Sequence, residues 1–133
     1  MSQPVVRHSN PSTVAPSPYY HHVSTITTPS KIIYTAGQIG RDANGTLAAT
    51  YVEQVKLALE NLKACLESQG AGPKDIVKLT YFIVGYDPAA RDHAGLIYEF
   101  LGESRPPTTL IPVVALALPG LLFEIEAVAS VSL

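Results

Sequence analysis

At 133 residues the chain is long enough for one compact domain with a real core. Charged residues make up 15% and hydrophobic ones 47%, a low charge content for a soluble protein, so one copy has more apolar surface than it can hide and an oligomer is expected. A net charge of −2 without Lys/Arg clusters gives no electrostatic footprint for nucleic acid, and a single cysteine excludes an internal disulfide.

Residues 1–18 carry Pro4, Pro11, Pro16 and Pro18 among Ser, Thr and Asn, which fits an extended segment lying over a single domain of residues 19–133. No basic stretch followed by an apolar run stands at the start, so no secretory signal is expected. Together with the lone Cys65 this suits a reducing, cytoplasmic setting and no membrane partner. Tyr19 to Thr27 reads as a first strand, rich in aromatic and β-branched residues. Thr28 to Lys31 reads as a turn, and Ile32 to Gly40 as a second strand that loses regularity at its glycines. Asn44-Gly45 places a tight turn between Asp42 and Thr46.

Thr50 and Glu53 form a capping box that opens the first helix. Val52, Val55, Leu59, Leu62 and Leu66 continue it as one apolar stripe, and Gly70, Gly72 and Pro73 end it. Cys65, beside that stripe, reads as a small packed hydrophobe and not as a reactive thiol. Ile76 to Gly85, apolar on both faces, reads as a central strand. Asp87 as N-cap with Pro88 at the first helical position predicts a second helix running to Leu101 and stopping at Gly102. Glu103 to Pro107 is an extended loop.

The last quarter, Thr108 to Val131, reads as two strands joined by a tight turn at Pro119-Gly120. Pro112, Pro119, Glu124 and Glu126 argue against a membrane helix. In a strand, Glu124, Glu126 and Val128 share one face while Phe123, Ile125 and Ala127 share the other. Two acids on an apolar strand need water, a basic partner or a pocket; a solvated face is the plain alternative to a functional one. The order ββαβαββ, with helices able to lie on one face, predicts a two-layer α+β sandwich.

Four segments together resemble the RidA/YjgF family: Tyr34-Thr35-Ala36-Gly37-Gln38-Ile39, Asn61-Leu62-Lys63-Ala64, Asp75-Ile76-Val77-Lys78-Leu79-Thr80, and Glu124-Ile125-Glu126-Ala127-Val128-Ala129. The similarity spans nearly the whole chain from about Pro16, and the order and spacing of the segments make it specific. The resemblance implies a chorismate-mutase-like fold, assembled as a homotrimer with clefts between neighbouring subunits. It also implies hydrolysis of reactive enamines and imines, made by pyridoxal-phosphate enzymes, to ketoacids and ammonia, with no metal or cofactor.

Carried over residue by residue, the family's Pro-Tyr is matched by Pro18-Tyr19, so Tyr19 is expected to line the pocket. Its Ser-Gly-Gln is matched by Ala36-Gly37-Gln38, which places Gly37 and Gln38 among the binding residues. Glu124 matches the acid that positions or activates the attacking water. The arginine that pairs with the substrate carboxylate in hydrolytic members is replaced: in Pro106-Pro107-Thr108-Thr109-Leu110 its position holds Thr108, with Leu110 further along. A hydroxyl cannot supply a bidentate, permanently charged clamp. Arg105 lies close in sequence, but Pro106-Pro107 stiffen the backbone against its swinging in. Without a cation nearby, a carboxyl in an apolar cleft holds its proton more tightly and suits acid–base work on a neutral substrate.

Adjacent His21 and His22, on a strand, point to opposite faces and cannot chelate one metal. His93, near Ile97 and Phe100, reads as a packed or surface histidine. The older family label of endoribonuclease finds no support in so few cationic residues. Two expectations of different class follow: an enzyme acting on a reactive imine, enamine or related carbonyl compound, weak on ordinary 2-imino acids, or a catalytically silent trimer that binds a metabolite or protein partner.

Overall fold

The structure, a computed structural model, describes residues 4–133. Helices α1 (Tyr51–Glu67) and α2 (Asp92–Leu101) lie on one face of a mixed sheet in the order β3 (Ser30–Tyr34), β7 (Phe123–Ser132), β5 (Ile76–Val84), β6 (Thr108–Val113). Strand β4 (Gln38–Ile39) also pairs with β7. This is the expected two-layer α+β architecture.

The core lies between the layers. Val55, Leu59, Leu62 and Leu66 of α1 and Ile97 and Leu101 of α2 are buried against Leu79, Tyr81 and Ile83 of β5 and Phe123, Ile125 and Ala127 of β7. Burying each large apolar side chain is worth about 1.5–3 kcal/mol. Both halves of the Thr50–Glu53 capping box form, and Gly70 beyond the helix has φ 76°. Cys65 is half-buried.

Sequence and structure part in four places. The first strand does not begin at Tyr19: β2 covers Val23–Ile26 and pairs antiparallel with β1 (Val6–Ser9), in a ribbon separate from the main sheet. His21 and His22 therefore precede the strand, and each ring bonds a different backbone carbonyl, of Arg105 and of Ala15. The second strand divides into β3 and β4, interrupted at residues 35–37.

Helix α2 begins at Asp92, not Pro88. Asp87 does bond a downstream N–H, but its Oδ1 accepts from Ala89 while its carbonyl accepts from Ala90, both at 2.9 Å. That closed turn competes with a helix start. Arg91, at φ −109° and ψ 49°, then stands outside the helix.

Lastly, the two C-terminal strands are not a hairpin. A turn does form at Pro119-Gly120, with Gly120 at φ 86°. β6, however, pairs parallel with β5 after the α2 crossover, while β7 inserts between β3 and β5. Alternation of side chains reveals the faces of a strand but not its neighbours. Pro112 is tolerated because β6 is the sheet edge. The returning loop is held by buried Gln54 of α1. Its Nε2 donates to the carbonyls of Ala48 and Gly120 at 3.2 and 3.0 Å, and its Oε1 accepts from the Leu122 N–H at 2.8 Å.

Candidate functional site

Residues expected to carry function fall into two groups on opposite faces of the sheet. On β7, Phe123, Ile125 and Ala127 are buried toward the helices, and Glu124 and Glu126 stand half-buried on the outer face, opposite Phe82 and Thr80 of β5. The segment before β4 crosses this face. Thr35 fixes it: its N–H donates to the Ala127 carbonyl at 3.0 Å, and its Oγ1 accepts from the Ala127 N–H at 3.1 Å. Gly37 then packs directly on the Glu124 carboxylate. A Cβ at Gly37 would sit 2.5 Å from Glu124 Oε1 and 2.8 Å from its Cγ, so any larger residue would force Glu124 to move. Neighbouring Gln38 turns its Nε2 back to the Ala36 carbonyl at 3.2 Å. Among the described residues neither Glu124 nor Glu126 has a hydrogen-bond or ion-pair partner. Burial, reinforced by the charge of Glu126, raises the Glu124 pKa above the ordinary 4.5.

The second group surrounds a cavity of about 290 Å³ between α2, β6 and the segment before β2. Tyr19, Thr108 and Leu110 all line it, joined by Tyr20, Tyr81, Tyr86, Arg91 and Tyr98. The aromatic wall is set by His21, whose backbone N–H and ring Nδ1 both engage the Arg105 carbonyl, at 2.8 and 2.7 Å. That pins Tyr19 over α2, where its ring stacks on Tyr98 at 5.4 Å, 6° from parallel. Arg91 lies over the Tyr19 ring, 5.2 Å from its centroid. Burial raises the Tyr81 pKa and the Arg91 charge pulls it back.

Arg105 does not line the cavity. Its Nη1 donates to the carbonyls of Gly102 and Ser104 at 2.7 and 2.8 Å, and its guanidinium stacks over Tyr98. Thr108, for its part, donates its hydroxyl to the Pro106 carbonyl at 3.0 Å. Behind the cavity wall, His93 is fully buried among Tyr81, Tyr86 and Phe123's neighbour Tyr51, whose hydroxyl is 3.1 Å from Nδ1. Burial, then the Arg91 charge, holds the His93 pKa below 6.5, so the ring is neutral at physiological pH. It is a packed histidine.

Sequence reasoning missed Arg91, because it sat inside an expected helix, and it missed the convergence of Tyr81, Tyr86 and Tyr98, which lie far from Tyr19 in the chain. The richness in tyrosine, 7 residues with no tryptophan, was the one available signal. Among the described residues no group of three His, Cys, Asp or Glu side chains gathers to hold a metal ion, and no helix is long and apolar enough to cross a membrane.

Comparisons with known proteins agree with this fold. The family model described as endoribonuclease L-PSP matches residues 12–131. A RutC family protein of Pyrococcus abyssi is 34% identical over 99 residues, 73% of this chain and 76% of that protein. TdcF of Escherichia coli, whose name marks it as a candidate reactive intermediate deaminase, is 32% identical over 101 residues, 74% of this chain and 78% of its own. Among solved structures, YyfB of Yersinia pestis, a Rid-family protein of unknown function, superposes with a TM-score of 0.87 at 35% identity, covering 96% of this chain and 99% of that one.

Proposed function

The chain belongs to the endoribonuclease L-PSP family, the RidA/YjgF group, and on that footing we propose that it is a cofactor-independent homotrimeric enzyme acting on a reactive imine, enamine or related carbonyl metabolite. The observation that carries this reading is the unpaired Glu124 carboxyl held against Gly37 with a raised pKa. In imine hydrolysis such a group takes a proton from the attacking water as the C–O bond forms. It returns that proton to the nitrogen to give the carbinolamine, whose hydroxyl proton then passes through the same carboxylate to the nitrogen as the C–N bond breaks, leaving a carbonyl compound and ammonia. The name of TdcF supports the same chemistry. The few cationic residues of this chain count against an RNA substrate.

Glu124 with Gly37 and Gln38 lies on the face of the sheet opposite to Tyr19, Thr108 and Leu110, so a complete site needs two copies. The outer face also exposes Ile32 and Tyr34 of β3 and Ile111 of β6, at 47%, 76% and 37%, the kind of apolar patch that marks an interface. Light scattering at micromolar concentration is expected to give the mass of a trimer. A monomer mass would remove both the assembly and the shared cleft.

The activity test generates imines in situ from a panel of amino acids with an amino-acid oxidase and follows ketoacid release. Acceleration is expected for at least one member of the panel, with 2-iminobutanoate slow because Thr108 puts no guanidinium clamp at that position of β6. Failure to accelerate any imine would favour a silent, metabolite-binding trimer. Hydrolysis of 2-iminobutanoate at the rate of an arginine-bearing relative would overturn the expected selectivity.

A further inference from the structure

Of the residues lining the cavity between α2 and β6, Arg91 alone carries a formal charge. Among the described residues its guanidinium has no hydrogen bond and no ion pair, and its recorded contact is the face of the Tyr19 ring. The other arginine nearby, Arg105, does not line the cavity: its Nη1 donates to two backbone carbonyls and its guanidinium lies over Tyr98. The walls are mostly tyrosine: Tyr19, Tyr20, Tyr81, Tyr86 and Tyr98. The hydroxyl oxygen of Tyr98 is buried without a partner.

We propose that Arg91 is the anion-holding residue of this cavity and that its ligand is a small planar carboxylate, an aromatic or conjugated acid whose body lies among the tyrosine rings. A single guanidinium fork matches one carboxylate through two parallel hydrogen bonds. The lone positive charge of Arg91 offsets the single charge of a carboxylate, whereas a phosphate dianion would stay half-compensated. Flat π-systems stack on tyrosine faces in offset or edge-on arrangements, which a short aliphatic chain cannot do. The cavity, at about 290 Å³, suits a small molecule of this class. Arg91 reaches this wall because the turn at Asp87 delays α2 until Asp92. The charge therefore enters from the start of the helix and not from β6, where Thr108 stands. This goes beyond the proposed hydrolysis, since it requires binding and no turnover.

The test uses benzoate, its neutral analogue benzamide, and the full-length protein. The chain has no tryptophan, so intrinsic emission comes from tyrosines, most of which line the cavity, and reports binding directly. Benzoate is expected to change that emission saturably and to bind about tenfold or more tighter than benzamide, the worth of a charge-assisted pair. Arg91→Gln should abolish the preference, and Arg91→Lys should keep part of it; both lie at an exposed position, and circular dichroism checks the fold. Equal affinities for benzoate and benzamide in the parent protein would overturn the proposal without any variant. So would a preference that survives in Arg91→Gln, or one lost in Arg105→Gln alone, which would move the anion to Arg105. Loss of imine hydrolysis in Glu124→Gln with benzoate binding intact separates this proposal from the catalytic one.

Discussion

Glu124→Gln is expected to lower turnover of the true substrate by about 10²–10⁴-fold, the usual contribution of a positioned acid or base. Glutamine keeps the shape and a hydrogen-bonding oxygen but cannot carry a proton to and fro. Glu126→Gln is the control: it lies on the same face two residues on, and its change should alter assembly or stability more than rate. Matched rate constants on the two folded, trimeric variants decide the matter, and equal activity of Glu124→Gln and the parent would sink the catalytic role. The pH dependence follows from the raised pKa. A carboxylate that accepts a proton from water must be ionised, so the rate should rise with pH through a value above the ordinary 4.5.

Stability should run the other way. A group whose folded pKa exceeds its unfolded one favours the fold below the unfolded value, and that advantage is lost as pH rises through the folded value. Glu124→Gln should therefore be more stable than the parent near pH 7, and the difference should fade below about pH 4.5. A thermal-melting pair at the two pH values reads this directly. A Glu124→Gln variant that melts lower than the parent at pH 7 would contradict the picture of an unpaired, half-buried carboxylate.

Gln54→Leu is expected to destabilise the protein by about 2–4 kcal/mol, although leucine is the better helix former. Buried Gln54 satisfies the carbonyls of Ala48 and Gly120 and the N–H of Leu122, and leucine leaves all three without partners. Those groups hold the loop that brings the chain back into β7, next to Glu124. Gly40 packs so closely on the Gln54 backbone that a Cβ would overlap it, which leaves the helix no room to shift. The measurement is the denaturant midpoint at one fixed protein concentration, since assembly adds to apparent stability. An unchanged midpoint would mean that water or a rearranged loop replaces the three bonds.

The sequence by itself determined the layers, the long helix and the outward face of Glu124. The Thr50–Glu53 box and the stripe from Val55 to Leu66 depend on local hydrogen bonds and a 3.6-residue period, which act within a few residues and are legible in order. So is the alternation that turns Glu124 away from the buried side chains of β7. The tertiary structure alone decided which strands are neighbours, because a parallel β5–β6 pair and a hairpin leave the same alternation behind. It also decided where α2 begins, since the Asp87 side chain can cap a helix or close a turn and local sequence permits both. From that choice follows the cavity's charge: Arg91 and five tyrosines distant in the chain meet only when α2, β6 and the segment before β2 pack together.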